Sequence, residues 1–307
     1  MSLYEALTTV IGTILVGYIS KTKKIFNDTH VQAFEIFLLK IGMPCYLFSV
    51  TLKYEINKLF NVRFLLNLLL TFLITFGLGL IINRKHSISK FLTFGISSSY
   101  SNTSMYTTPV IFFIFGNPIA GVLANLFQVI FVQSSFLIIL SFLNSGESAL
   151  QKIKKILSTP LIIMPVLGIF LNYIDFKDQL QYGMNIIENL GKIATGLALF
   201  TFGLNFDKVK FDNPRHKKDV LKIIFIKNLV HPIFAFLIGF YIFKLEKYWL
   251  VSSVITASAP TAFVIYVIAN EYKIDAKIVR TIVVLSSLIS IILLPIFILS
   301  FKAFDLL

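Results

Sequence analysis

The chain has 307 residues; 56% are hydrophobic, 14% are charged, and the mean hydropathy is +0.83. That balance excludes a water-soluble globular domain, in which about one quarter of residues are charged. The formal charge of +13 does not indicate a nucleic-acid partner either, because the basic residues occupy many short joints rather than one face or tail.

A bilayer core about 30 Å thick requires roughly 20 apolar residues of helix. Segments of that length predict ten spans, near residues 4–20, 33–52, 62–82, 91–115, 119–143, 157–174, 185–206, 220–243, 249–270 and 277–301. The expected fold is all-α and integral to a membrane. Beside the first span, Lys21, Lys23 and Lys24 follow the apolar run instead of preceding it, and no small-residue cleavage site is evident. A retained helix is therefore expected rather than a secretory signal. Span two carries the single cysteine, Cys45, which rules out an intrachain disulfide and reads as a small apolar packing residue. Lys40 and Lys192, near the ends of spans two and seven, read as interfacial anchors. The longest polar joint, Asp207 to Asp219, reads as a cytoplasmic loop with a turn at Pro214.

Cytoplasmic joints hold the excess of Lys and Arg in membrane proteins. With the N-terminus outside, the cytoplasmic joints and adjoining span ends hold 18 of the 28 basic residues and the opposite side holds 7, while Lys40, Lys192 and Lys227 fall inside spans. A multi-pass cell-membrane protein with both termini outside is expected.

No linker or low-complexity tract divides the chain, so residues 1–307 read as a single membrane domain. Ten spans split into two sets of five, 1–143 and 157–307, and an odd number of crossings sends the second set in from the opposite side. That is the arithmetic of a 5+5 inverted repeat. In span two, Lys40-Ile41 is followed seven residues later by Leu47-Phe48; span seven has Lys192-Ile193 and then Leu199-Phe200 at the same offset. Asn102 lies eleven residues after Phe91 in span four, and Pro260 eleven after Trp249 in span nine. The disturbed middles of these two spans thus fall in register.

Span four is the most informative segment. From Ser97 to Thr108 nine of twelve residues are Ser, Thr or Asn, and Pro109 follows. Pro109 cannot donate to the carbonyl of Met105 and crowds it, so the helix is expected to break there. Within a membrane a broken helix persists only where protein, hydroxyl groups or a watery cavity satisfy the freed groups; Ser104, Thr107 and Thr108 can serve. Span nine has the related run Thr256-Ala-Ser-Ala-Pro260-Thr261-Ala262, with a second break at Pro260. Two broken, crossing helices would point the positive ends of half-helices into one pocket, which favours an anion. Proline and hydroxyl residues also kink ordinary packed membrane helices, and it is the matched pair that favours a binding site.

The run Asn102-Thr-Ser-Met-Tyr-Thr-Thr-Pro109 resembles the fourth-helix motif of the auxin efflux carrier family. Ala259-Pro260-Thr261-Ala262, with Ala269 and Tyr272 downstream, is similar to that family's ninth-helix motif. Ser104 and Thr107 stand where the family usually has small glycines, which changes the size of the pocket. The resemblance implies that helices three to five and eight to ten form a mobile transport domain, that helices one, two, six and seven form a scaffold, and that access alternates by an elevator-type movement. It also implies an organic-anion substrate: bacterial members are associated with dicarboxylates such as malonate or malate, and plant members with indole-acetate.

In span eight, Lys227 and His231 are one turn apart on one face, with Asn228 adjacent and Pro232 following. They could neutralise an anion or titrate during transport, although Lys227 is also close enough to the cytoplasmic end to snorkel. In span five, Asn125 and Gln128 share a face and either line the pocket or bond neighbouring helices. The substrate-binding candidates are Asn102, Thr103, Thr107, Pro109, Asn125, Gln128, Lys227, His231, Pro260 and Thr261, with Asn102 favoured because its amide both donates and accepts.

Glu35, Glu188, Glu246 and Glu271 all fall at or beyond span ends, so a proton relay or sodium site built on buried carboxylates is not supported. No Walker-type loop appears. His30, His86 and His216 fall in loops, which leaves His231 without the partners an enzyme or a metal site needs. The expectation is a secondary transporter of a small organic anion, with no cofactor, the bilayer as surroundings and a homodimer as the conceivable assembly. The alternatives are a passive anion channel and a sodium-coupled bile-acid-type symporter.

Overall fold

The computed structural model describes residues 2–54, 60–82, 87–143, 150, 151, 154, 157–176, 181–206 and 214–306. Twelve helices are named here: α1 (Leu3–Thr22), α2 (Asp28–Lys53), α3 (Val62–Ile82), α4 (Ile88–Ser97), α5 (Thr103–Phe115), α6 (Ile119–Leu143), α7 (Pro160–Tyr173), α8 (Gln181–Leu204), α9 (residues 214–242), α10 (Lys247–Ser258), α11 (Phe263–Glu271) and α12 (Ala276–Ala303). No strand forms among the described residues; one isolated antiparallel bridge joins Ser101 and Thr261. Among the described residues six helices are long and apolar enough to cross a membrane: α1, α2, α3, α6, the Lys217–Ile242 part of α9, and α12.

Prolines shape several of these helices in the same way. The π-turns Leu38–Gly42, Thr103–Thr107 and Ile226–Val230 are each followed, two residues later, by Pro44, Pro109 or Pro232. A proline ring crowds the carbonyl four residues back and has no N–H for it, and a wider turn with bonds to the fifth residue back relieves both problems. Met43 N–H accordingly donates to Leu38 O, and His231 N–H to Ile226 O. Span four therefore does not open at Pro109. Helix α5 runs through that residue, and the non-helical residues lie earlier, from Ser98 to Asn102. In span nine the break does include Pro260, within residues 259–262. Pro214 begins α9 rather than making a turn, a position that suits its fixed φ. His30 sits in the first turn of α2 as part of a capping box with Asn27, and His216 lies on α9; His86 falls outside the described residues.

The chain divides into two compact units. The first holds α1, α2, α5 from Ser104, α6 as far as Ser141, α7 and α8; the second holds α3, α4, α9, α10, α11 and α12. In the first unit, α1 and α8 meet through glycines, since a Cβ at Gly17 would collide with the carbonyl oxygen of Phe200, and one at Gly203 with that of Ile14. Helices α2 and α7 meet similarly: a Cβ at Gly168 would stand 2.8 Å from Phe48 O. Gly42 of α2 faces Ala194 of α8, with 2.8 Å between the would-be Cβ and the alanine methyl. In lipid, where burying apolar surface between helices gains little, such close backbone approach is a main source of association. In the second unit Phe94 of α4 packs with Val220, Ile223 and Ile224 of α9 and Ile278 and Ile282 of α12. Asn67 of α3 donates to Ala235 O of α9 at 3.3 Å.

Candidate functional site

The second unit contains the place where two interrupted helices meet. Helix α4 ends at Ser97 and α10 at Ser258, and each leaves carbonyls at its C-terminus with no partner further along its own helix. The extended residues that follow pair with one another. Asn102 N–H donates to Pro260 O at 2.8 Å beside the Ser101–Thr261 bridge. Thr261 Oγ1 donates back to Ser97 O at 2.7 Å, and its N–H to Ser286 Oγ of α12 at 3.1 Å. Ser290 Oγ of α12 donates to Ser258 O at 2.7 Å. Each open helix end is thus closed by a side chain from elsewhere in the unit.

Lys227 completes the junction. Its Nζ donates to Ala257 O at 2.7 Å and to Ser101 Oγ at 2.8 Å, and lies 3.2 Å from His231 Nδ1. The side chain is 0% exposed, so it does not snorkel. A donor at the C-terminal end of α10 satisfies one of the carbonyls that the helix leaves open. No carboxylate among the described residues pairs with Lys227, and the only polar partners the geometry gives it are a hydroxyl, a carbonyl and an imidazole. Neighbouring Asn228 donates to Ser286 O at 3.0 Å and to Ser290 Oγ at 2.9 Å, which ties α9 to α12 just where both reach the crossing.

Of the residues expected to bind substrate, Asn102, Thr103, Lys227, His231, Pro260 and Thr261 belong to this second unit, and all are buried there. Thr107, Pro109, Asn125 and Gln128 belong to the first unit and are likewise buried. There Ser104 Oγ donates to Asn125 Oδ1 at 2.6 Å, joining α5 to α6 where Gly121 lets the two helices approach: a Cβ there would stand 2.7 Å from Thr108 Cα. Sequence reasoning missed Ser101, Ser286 and Ser290. The available signal was the pair Ser286 and Ser290, four residues apart and so on one face of an apolar helix, but nothing local names their partners.

The profile of the family described as membrane transport protein matches the chain twice, over residues 2–155 and 145–298. The chain belongs to this auxin efflux carrier-type transport family and is a multi-pass membrane protein. A relative from Rhizobium meliloti (strain 1021), named "Putative malonate transporter", is 20% identical over 292 residues, which cover 91% of this chain and 90% of the relative. Family and relative both point to a transporter rather than an enzyme.

Proposed function

We propose that the chain is a secondary active transporter of a small organic anion, a carboxylate or dicarboxylate of the malonate and malate kind, which works by elevator-type alternating access. One observation carries the reading: Lys227, a fully buried lysine with no carboxylate partner among the described residues, at the crossing of two interrupted helices. Holding an uncompensated cation out of water is costly, and an anionic substrate would supply the missing countercharge. Helix α11 adds to the attraction, because its N-cap, Ala262, has no side chain to cap the first turn and the positive end of the helix remains available to an anion. Asn102, Thr103, His231, Pro260 and Thr261 are assigned to substrate contact with Lys227. The Ser104–Asn125 bond favours a helix-joining role for Asn125, and by extension for Gln128 on the same face.

The same reading takes the architecture as ten spans in a 5+5 inverted repeat. Support comes from positions matched by sequence that take matching parts in the packing or meet in space. Phe48 and Phe200 are counterparts, and each lays its carbonyl against a glycine, Gly168 and Gly17 respectively. Gly42 and Ala194, each two residues past the matched lysines, face one another. Asn102 and Pro260, matched at eleven residues from their span starts, share a hydrogen bond. The two family matches, over the first and second halves of the chain, point the same way.

The test is counter-flow in proteoliposomes. Vesicles preloaded with unlabelled malonate should take up labelled malonate faster than empty ones, because the loaded carrier returns sooner. Uptake that preloading does not accelerate would assign a channel and overturn the proposal.

A further inference from the structure

We propose that Lys227 and His231 together form a proton-binding site, so that a carboxylate entering the site draws one proton from solution and the two cross the membrane together. The inference rests on the reading of the chain as an organic-anion transporter and supplies its coupling ion.

Lys227 Nζ and His231 Nδ1 are 3.2 Å apart. While Lys227 is an ammonium, Nδ1 must accept from it, which leaves the ring hydrogen on Nε2. A further proton has to go onto Nδ1. That removes the lone pair Lys227 bonds to and sets two cations side by side, both buried. With no anion present, burial away from water and the mutual repulsion both disfavour a second positive charge on the pair. A carboxylate near the pair reverses the balance, since two positive charges facing a dianion are better matched than one. Binding of the anion and uptake of the proton therefore favour each other, and thermodynamic linkage makes the effect reciprocal.

No other group takes over this role. The residues packed on this stretch of α9 come from α3, α10, α12 and the extended segment after α4. On α3 the charged residue is Arg63, and on α10 Lys247; both are exposed. On α12 Lys277, Arg280 and Lys302 are exposed near the two helix ends. Lys217, Lys218 and Lys222 of α9 itself are exposed and Asp219 is half-buried; Lys90 of α4 pairs with Asp275. Tyr248 of α10 is half-buried, and Tyr100, buried at the crossing, is a phenol that carries no charge near neutrality. Lys227 and His231 are the only buried Lys, His, Asp or Glu residues of this unit among the described residues.

The experiment is titration calorimetry of the purified protein with malonate, repeated in two buffers of different ionisation heat. The expected result is uptake approaching one proton per malonate bound, with affinity rising by up to about tenfold per unit as pH falls from about 8.5 to 6.5. His231→Gln should bind malonate more weakly, with no proton uptake and no dependence on pH. Should that variant fail to fold, the wild-type proton count decides alone. Malonate binding to the wild type with no proton uptake, or an unchanged pH slope in His231→Gln, would overturn the inference and leave the transporter reading standing. If malonate, malate and succinate all fail to bind the folded protein, the dicarboxylate reading of the site falls and this inference with it.

Discussion

Replacing Lys227 by methionine should separate the stability of the protein from its function. The variant removes a positive charge that, in the proposed complex, lies near a carboxylate. Two unit charges about 4 Å apart attract by about 4 kcal/mol at an effective dielectric of 20, so malonate affinity should fall by about a thousandfold. Stability should behave otherwise. The variant leaves Ala257 O without its donor, which costs about 1–3 kcal/mol. If the amine is charged, the variant also relieves its desolvation, several kcal/mol in the opposite direction. The thermal midpoint in detergent should thus stay within a few degrees of wild type or rise. Differential scanning fluorimetry and malonate calorimetry on the same preparation provide both readouts. A folded Lys227→Met protein that binds malonate within about threefold of wild type, a difference under 1 kcal/mol, would show that the buried cation is not the anchor and refute the charge argument.

Pro260→Ala restores an N–H and lets α10 continue toward α11; expression should be normal while counter-flow is lost, and wild-type uptake at normal abundance would remove the functional meaning of this break. Gly17→Ala forces a methyl into Phe200 O and should destabilise the protein by about 1–3 kcal/mol, whereas Gly12→Ala, with nothing within 4 Å of its would-be Cβ, should be neutral or stabilise by up to about 1 kcal/mol. Thermal inactivation in detergent ranks the two. For orientation, a cysteine at Lys218 in a Cys45→Ser background should resist a membrane-impermeant reagent in intact cells, and one at Asp305 should react; the reverse pattern would invert the topology.

The two interrupted segments were legible from sequence because they concentrate Ser, Thr, Asn and Pro in otherwise apolar spans. The position of the first break was not. Proline rules place it at Pro109, but a π-turn absorbs that proline, and the extended backbone forms seven residues earlier, where it pairs with the extended residues 259–262 through one bridge. Pairing across more than 150 residues leaves no local mark. Lys227 shows the same limit. Its sequence position admitted both snorkelling and an inward aim, and the structure sets it in a π-turn induced by Pro232 and points it at Ala257. Gly17 and Gly203 are two glycines among 15 until α1 and α8 are known to touch. Their role belongs to the packing, and only the assembled unit reveals it.

The hydrogen bonds at the crossing also constrain how the protein can move. Ser97 O, Ala257 O and Ser258 O each depend on a side chain from another element, and Thr261 N–H depends on Ser286. Sliding α9 or α12 past the junction would leave several of these groups bare in a dry interior, at about 1–3 kcal/mol apiece. No step of a cycle can break them all without a barrier that slows it by orders of magnitude. Helices α4, α9, α10 and α12 are held to one another at this junction by bonds that a sliding movement could not break cheaply.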